Sequence, residues 1–190
     1  LIPGGFGKRG TEGKIESIKY ARMKKIPFFG ICFGMQMAII EFARNELNIK
    51  NATSSEFGVG GTPIIGLISE WNKGGKVIKG TDKYLGGTMR LGLYEAKLKE
   101  NSLVKNIYKL ESIQERHRHR YEINISYKAQ FEENGMLFSG LSPDNKLPEI
   151  IELKNHPWFI AVQFHPEFKS RPLVPHPLFS SFIKAAKNYK

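Results

Sequence analysis

Apolar and polar positions follow one another along the chain in short blocks that predict strands and helices in turn. Residues 28–31 form a continuous apolar run with the length of a buried strand. After it, apolar residues between positions 35 and 47 recur at close to the spacing of one helical face. A second apolar run at residues 158–164 predicts another buried strand near the end of the chain. These two runs are expected to lie in the core of one sheet.

The remaining blocks extend the same alternation of strands and helices. Helices are predicted from Thr11, as an N-cap, to about residue 25, at residues 126–134, and from about Pro177 onward. Strands are predicted at residues 64–68, 91–96, 136–140 and 149–153, with loops at residues 51–57, 74–75 and 86–92. Alternation of this kind favours an α/β fold with a mostly parallel sheet and helices on both faces. Ligands of such folds bind at the carboxyl ends of the strands.

Length and composition agree with one globular unit that spans residues 1–190. The chain is 41% hydrophobic and carries 13 Phe, which is typical of a folded core and not of disorder. No apolar segment is long enough to cross a bilayer, and no signal peptide is recognisable. A single cysteine cannot form an internal disulfide, which favours a reducing compartment and predicts a cytoplasmic protein. Residues 1–2 resemble the last step of a strand, so the first strands of the sheet are expected to be missing.

The formal net charge of +11 raises the alternative of a basic nucleic-acid-binding module without catalysis. No stacking platform or base-reading motif accompanies the basic residues. An anionic nucleotide effector or an acidic partner domain accounts for the charge more directly. The sequence therefore predicts neither nucleic-acid binding nor membrane binding.

The lone cysteine, Cys32, lies between Gly30 and Gly34 on the predicted strand-to-helix turn. A G-x-C-x-G turn is the thiol counterpart of a nucleophile elbow, in which side chains at the two glycines would crowd the turn. The N-terminus of the following helix is expected to favour the thiolate, and the N–H of Phe33 is placed to stabilise an oxyanion. The alternative is a buried structural cysteine that happens to precede a glycine.

The second apolar run leads directly into His165, Pro166 and Glu167. In extended backbone, residues two apart share a face, so the ring of His165 and the carboxylate of Glu167 are expected to lie together. A carboxylate beside a histidine fixes its tautomer and stabilises the imidazolium, as a Cys–His nucleophile pair requires. The alternative for this motif is an exposed strand end.

Five segments together resemble the glutamine amidotransferase domain of CTP synthases, a class I, flavodoxin-like family, over nearly the whole chain. They are P-G-G-F-G-x-R-G at residues 3–10, G-I-C-F-G-M-Q at 30–36, G-G-T-M-R-L-G at 86–92, E-R-H-R-H-R-Y-E at 115–122 and F-H-P-E-F at 164–168. The second and fifth are shared by the wider class I family, whereas the third and fourth are narrower. Another class I amidotransferase or a γ-glutamyl hydrolase would share Cys32 and His165 but would not account for the third segment.

The resemblance implies a role for each matched residue. Cys32, His165 and Glu167 would form the catalytic triad that hydrolyses L-glutamine through a γ-glutamyl thioester. The backbone N–H groups of Phe33 and Gly5 are expected to bind the oxyanion, with Gly4 as the less expected donor. Glu56 would bind the α-amino group of glutamine, Arg120 its carboxylate, and Tyr121 would contribute through its backbone. Further residues expected to bind glutamine are Gly34, Met35 and Gln36. Residues expected near a GTP effector are Phe6, Arg9 and Arg90.

The resemblance also implies what lies outside this domain. Ammonia would pass to a synthase (amidoligase) domain absent from this chain, which uses ATP, UTP and Mg²⁺ to make CTP and is activated by GTP, in a homotetramer. This domain itself is expected to need no cofactor and no metal. The H-x-H pair at His117 and His119 is an unsuitable metal site because three interleaved arginines would repel a cation, so an alternating strand is predicted there.

Overall fold

The computed structural model describes residues 1–67, 70–73, 76–79 and 89–189. The described helices are α1 (Thr11–Met23), α2 (Phe33–Asn45), α3 (Leu103–Tyr108), α4 (Lys128–Glu133) and α5 (Pro177–Asn188). The described strands are β1 (Phe28–Ile31), β2 (Ala52–Ser54), β3 (Thr62–Leu67), β4 (Glu70–Lys73), β5 (Lys76–Lys79), β6 (Arg90–Leu98), β7 (Ser112–His119), β8 (Tyr121–Ile123), β9 (Met136–Leu141), β10 (Pro148–Leu153) and β11 (Phe159–Val162). The predicted loop positions 74–75 and 86–88 lie outside the described residues.

The main sheet has six strands in the order β1-β11-β10-β9-β6-β7, which places the two apolar runs side by side. β1 and β11 are parallel, and Ile2 continues the sheet through a parallel bridge to Gly30. Every other neighbouring pair in this sheet is antiparallel. The sheet is therefore mixed and not mostly parallel as expected. The links from β9 to β10 and from β10 to β11 are too short for a crossover, so the chain must reverse there.

Helices cover both faces of the sheet, and the expected layered α/β fold is confirmed. One face packs against α1, α2 and α4 around Phe159, Ile39 and Phe131. The other packs against α3 and α5 around Phe29 and Ile160. Side chains of β1 and β11 alternate between these two cores, which explains why both strands are apolar at every position.

A smaller three-stranded sheet, β2-β3-β8, lies beside α2. The predicted loop at residues 51–57 is in fact β2 followed by a 3₁₀ turn at Ser55–Phe57. Its three-residue strand is too short to show periodicity. Thr11 is the first residue of α1, and Gly10 takes the N-cap position in left-handed conformation. Neither α3 nor the β4–β5 hairpin was predicted.

β7 alternates as predicted, with Arg116 and Arg118 exposed and His117 and His119 buried. None of the described helices has the length and apolar character needed to cross a membrane.

Candidate active site

The strand-to-helix turn holds Cys32 in a conformation that the flanking glycines make possible. Cys32 has a positive φ of 50° with ψ of −101°, a strained backbone for a residue with a side chain. A Cβ at Gly34 would overlap the carbonyl oxygen of Ile2, and one at Gly30 would come within 2.9 Å of Ala161 Cβ. The Cys32 N–H is anchored on the Val162 carbonyl at 2.7 Å. The requirement for both glycines is therefore confirmed.

Burial controls the protonation of Cys32, which is only 5% exposed. Desolvation raises the pKa of its thiol to about 12, and the carboxylates of Glu122, Glu167 and Glu56 add to the rise, against a hydrogen bond from the Phe33 N–H that lowers it. The expectation that the helix N-terminus favours the thiolate of Cys32 is not met in this arrangement, because desolvation outweighs the hydrogen bond at the helix end. Burial therefore favours the neutral thiol of Cys32.

His165 and Glu167 lie together as predicted. His165 Nδ1 is 2.6 Å from Glu167 Oε1, and its ring stacks on Phe168 with centroids 4.9 Å apart. The carboxylate accepts a hydrogen bond, so the proton resides on Nδ1. That leaves Nε2 as an acceptor, and this buried atom has no hydrogen-bond partner among the described residues. His165 is thus held in the tautomer that a general base needs.

Gly4 lies close to both His165 and Cys32. A Cβ on Gly4 would lie 2.8 Å from His165 Cε1 and 3.8 Å from Cys32 Cβ, so both side chains border this residue. A Cβ on Gly5 would meet the Phe33 ring at 3.5 Å. The glycine-rich loop therefore lies against Cys32 and His165 through Gly4 and against Phe33 through Gly5.

Among the expected glutamine-binding residues, Glu56 contacts the glycine-rich loop and Tyr121 contacts Gln36. Glu56 Oε1 accepts a hydrogen bond from the Gly7 N–H at 2.7 Å. Arg120 is half-buried, and no carboxylate in the described ranges forms an ion pair with it. The Tyr121 carbonyl accepts hydrogen bonds from Gln36 Nε2 at 3.0 Å and from the ring of His119.

Three of the matched residues on α2 have internal roles. The Met35 side chain is fully buried in the core, and Gly34 packs against the backbone of Ile2. The amide nitrogen of Gln36, a residue expected to contact the substrate, donates hydrogen bonds to the Tyr121 carbonyl and to Gln163 Oε1. Gly34, Met35 and Gln36 therefore contribute to the site through contacts inside the protein.

Gln163 was missed by the sequence reasoning. Its Nε2 lies 3.6 Å from Cys32 Sγ, and its side chain is completely buried. The available signal was a polar residue inside the apolar run at residues 158–164, two positions before His165. A buried amide inside a core strand needs partners for its hydrogen-bonding groups.

The expected effector residues separate into two environments. Phe6 is 89% exposed and Arg9 is also exposed, both within the glycine-rich segment of residues 3–10. Arg90 is only 4% exposed and forms ion pairs with Glu122 at 2.9 Å and Glu149 at 2.8 Å. Arg90 is therefore engaged inside the protein, and its guanidinium offers no surface to a nucleotide in this arrangement.

A buried polar network surrounds Arg90 beneath the site. His117 Nδ1 and His119 Nε2 are 2.9 Å apart, and burial lowers the pKa of both rings, with Arg90 adding to the effect. Burial raises the pKa of Glu122 to about 8 despite its ion pair. The two histidines are thus neutral members of a network, and within the described part of the chain no group of three metal-binding side chains is found.

The arrangement is suited to acyl transfer. It combines a thiol at an elbow, an oriented histidine with a free acceptor nitrogen, and a glycine-rich loop whose Gly4 lies against both side chains. A planar amide or thioester carbonyl is the group on which these parts would act.

Comparison with known proteins identifies related chains. The family model described as "Glutamine amidotransferase class-I" matches residues 1–185. A CTP synthase of Pelagibacter ubique is 79% identical over 190 residues and one of Rhodospirillum rubrum is 60% identical over 187, covering 100% and 98% of this chain. The chain spans about a third of the length of these curated relatives, 35% and 34% respectively. A solved glutaminase domain of the Trypanosoma brucei enzyme, with bound acivicin, aligns with a TM-score of 0.86 at 36% identity, over 99% of this chain and 70% of that one.

Proposed function

The chain belongs to the class-I glutamine amidotransferase family, and we propose that it is the glutaminase part of a CTP synthase, which hydrolyses L-glutamine to glutamate and ammonia. The observation that carries the proposal is the contact geometry at Gly4, which borders both Cys32 and the Glu167-bound ring of His165. Burial keeps the Cys32 thiol neutral, so the sulfur must lose a proton before it can act as a nucleophile. His165 can take that proton on Nε2, its free acceptor nitrogen.

In the first step, the Cys32 sulfur attacks the side-chain amide carbon of glutamine while its proton passes to His165 Nε2. The carbonyl oxygen becomes negative and accepts hydrogen bonds from the Phe33 and Gly5 N–H groups, with Gly4 as the alternative second donor. When the C–N bond breaks, His165 gives its proton to the leaving nitrogen. Ammonia departs and a γ-glutamyl thioester stays on Cys32.

In the second step, a water molecule loses a proton to His165 Nε2 and attacks the thioester carbonyl. The C–S bond breaks, the proton returns to sulfur, and glutamate is released. Glu167 holds His165 in the same orientation through both steps and stabilises its cationic form.

Recognition of glutamine would come from two opposite charges. Arg120, without an ion-pair partner among the described residues, would bind the α-carboxylate with its planar guanidinium. Glu56 would bind the α-ammonium through Oε2, since Oε1 already accepts from the Gly7 N–H. Gly34, Met35, Gln36 and Tyr121 would support this pocket through the backbone and the internal contacts described above.

The rest of the reaction is proposed from the relatives. Residues 1–190 would form one glutaminase domain, and its ammonia would be used by an amidoligase domain that converts UTP to CTP with ATP and Mg²⁺. The protein would act as a cytoplasmic homotetramer, without nucleic-acid or membrane partners. GTP would act as the activator through the exposed residues Phe6 and Arg9, with Arg90 supporting the fold behind them.

The test is ammonia release from free glutamine, compared with release from γ-glutamyl peptides, with and without GTP. The proposal predicts that free glutamine is preferred, that GTP increases turnover, and that Cys32→Ala abolishes it. Preference for γ-glutamyl peptides would instead indicate a γ-glutamyl hydrolase. Salt-sensitive nucleic-acid binding with no ammonia release would indicate the non-catalytic alternative.

A further inference from the structure

We propose that Gln163 is a positioning residue for the nucleophile, whose side-chain amide donates a hydrogen bond to the Cys32 sulfur and stabilises its anionic form. Gln163 Nε2 is 3.6 Å from Cys32 Sγ, which is within hydrogen-bond range for the large sulfur atom. Cys32 and Gln163 lie 131 positions apart in sequence, at the carboxyl ends of the neighbouring parallel strands β1 and β11. The inference rests on the proposed function, because a donor to sulfur matters only if Cys32 reacts.

The orientation of the Gln163 amide is fixed by a chain of contacts that starts at a backbone carbonyl. The Tyr121 oxygen can only accept, so the Gln36 group that faces it at 3.0 Å must be the NH₂. The same nitrogen lies 3.4 Å from Gln163 Oε1, which must therefore be the oxygen. The remaining end of the Gln163 side chain, which faces Cys32, is then the NH₂ donor. The Tyr121 carbonyl therefore orients the Gln36 amide, and the Gln36 amide orients the Gln163 amide.

The surroundings of the sulfur make such a donor important. Glu122, Glu167 and Glu56 all disfavour a negative charge on Cys32. His165 borders Gly4 as Cys32 does, and in the proposed function it is the group that takes the proton. The Phe33 N–H is a donor from the sulfur's own turn, and Gln163 is the donor from the adjacent strand. Since Gln163 is fully buried, water does not compete for its hydrogen bond.

The first experiment measures how fast iodoacetamide alkylates Cys32, between pH 7 and 9, by mass spectrometry of the peptide that carries this residue. Gln163→Met keeps side-chain length and removes the donor, and Gln163→Asn keeps a buried amide but withdraws it by one methylene. Both should lower the alkylation rate about tenfold or more at every pH, as expected for loss of a hydrogen bond to a charged group. Gln36→Met, which frees the Gln163 amide to rotate, should cause a smaller loss.

The matched control is Gln130→Met, the same substitution at an exposed position on α4, which should alkylate at the parent rate. Thermal melting followed by circular dichroism identifies any variant that is not folded. If Gln163→Met does not fold, Gln163→Asn tests the inference in its place. Equal or faster alkylation of folded Gln163 variants would overturn the inference.

Glutamine kinetics separate the inference from the function on which it rests. The Gln163 variants should show reduced kcat with KM for glutamine nearly unchanged, because Gln163 contacts the sulfur and has no hydrogen bond with Arg120 or Glu56, the two side chains proposed to bind the charged groups of glutamine. If the parent hydrolyses glutamine and the folded variants match its kcat, only the role of Gln163 is refuted. If Cys32→Ala retains turnover, the proposed function fails regardless of Gln163.

Discussion

Replacement of Gly4 by alanine tests the geometry of the proposed catalytic pair, Cys32 and His165, because the added methyl group would contact both residues. The new Cβ would lie 2.8 Å from His165 Cε1, whereas ordinary contact begins at 3.4 Å. The histidine ring or the loop must therefore shift by roughly 0.6 Å or more. The ring has little freedom to move, since Glu167 holds Nδ1 at 2.6 Å and Phe168 stacks on its face.

We expect Gly4→Ala to lower kcat for glutamine hydrolysis on the order of a hundredfold, the typical cost of a misplacement of about 1 Å at a reacting centre. Stability should change little, because Gly4 lies on a partly exposed loop and its φ is not in the left-handed region. The assay is steady-state ammonia release, with thermal melting to show that the variant is folded.

The matched control is Gly5→Ala, one residue along the same loop. There the Cβ would meet the Phe33 ring at 3.5 Å, an ordinary contact, and the backbone N–H is retained. Its kcat should stay within a few-fold of the parent value. A Gly4→Ala protein that matches Gly5→Ala in kcat would show that the loop does not border the catalytic pair as described.

Four further substitutions test other parts of the site. Glu167→Gln should lower kcat at least about tenfold without a loss of melting temperature, since only the orientation and charge stabilisation of the histidine are lost; an unchanged kcat would remove Glu167 from the triad. Burial raises the pKa of Glu122 to about 8, so the folded state retains a proton that the unfolded chain releases at lower pH, and this contribution to stability is lost as pH rises through about 8. The isosteric Glu122→Gln, which does not ionise, should therefore gain melting temperature relative to the parent between about pH 5 and pH 8, and parallel melting curves would contradict the assignment. Arg90→Ala should destabilise the fold by about 1–3 kcal/mol because it leaves the buried carboxyl groups of Glu122 and Glu149 without their hydrogen-bond donor, whereas Arg9→Ala should melt like the parent and lose only stimulation by GTP.

Much of the site could be predicted from the sequence because its signals are local. Gly30 and Gly34 flank Cys32 within five residues, and the elbow needs both of them for reasons of space alone. His165 and Glu167 are two residues apart at a strand end, so their contact follows from extended backbone geometry.

The features that were not predicted have two origins. The antiparallel direction of β9 and β10 follows from links that are too short for a crossover, which hydrophobic periodicity does not register, and the other features depend on long-range packing. The protonation of Cys32 depends on how deeply the turn is buried, which opposes the effect expected from the helix N-terminus. Arg90 follows a basic, glycine-rich segment typical of a surface, and only the fold reveals its two buried carboxylate partners.

Covalent labelling of the nucleophile tests the central claim most directly. Incubation with acivicin, the compound bound in the Trypanosoma brucei domain, followed by peptide mass mapping, should give one adduct, located on Cys32, and excess glutamine should prevent it. Absence of an adduct on Cys32, or labelling that glutamine does not suppress, would contradict the claim that this sulfur attacks glutamine.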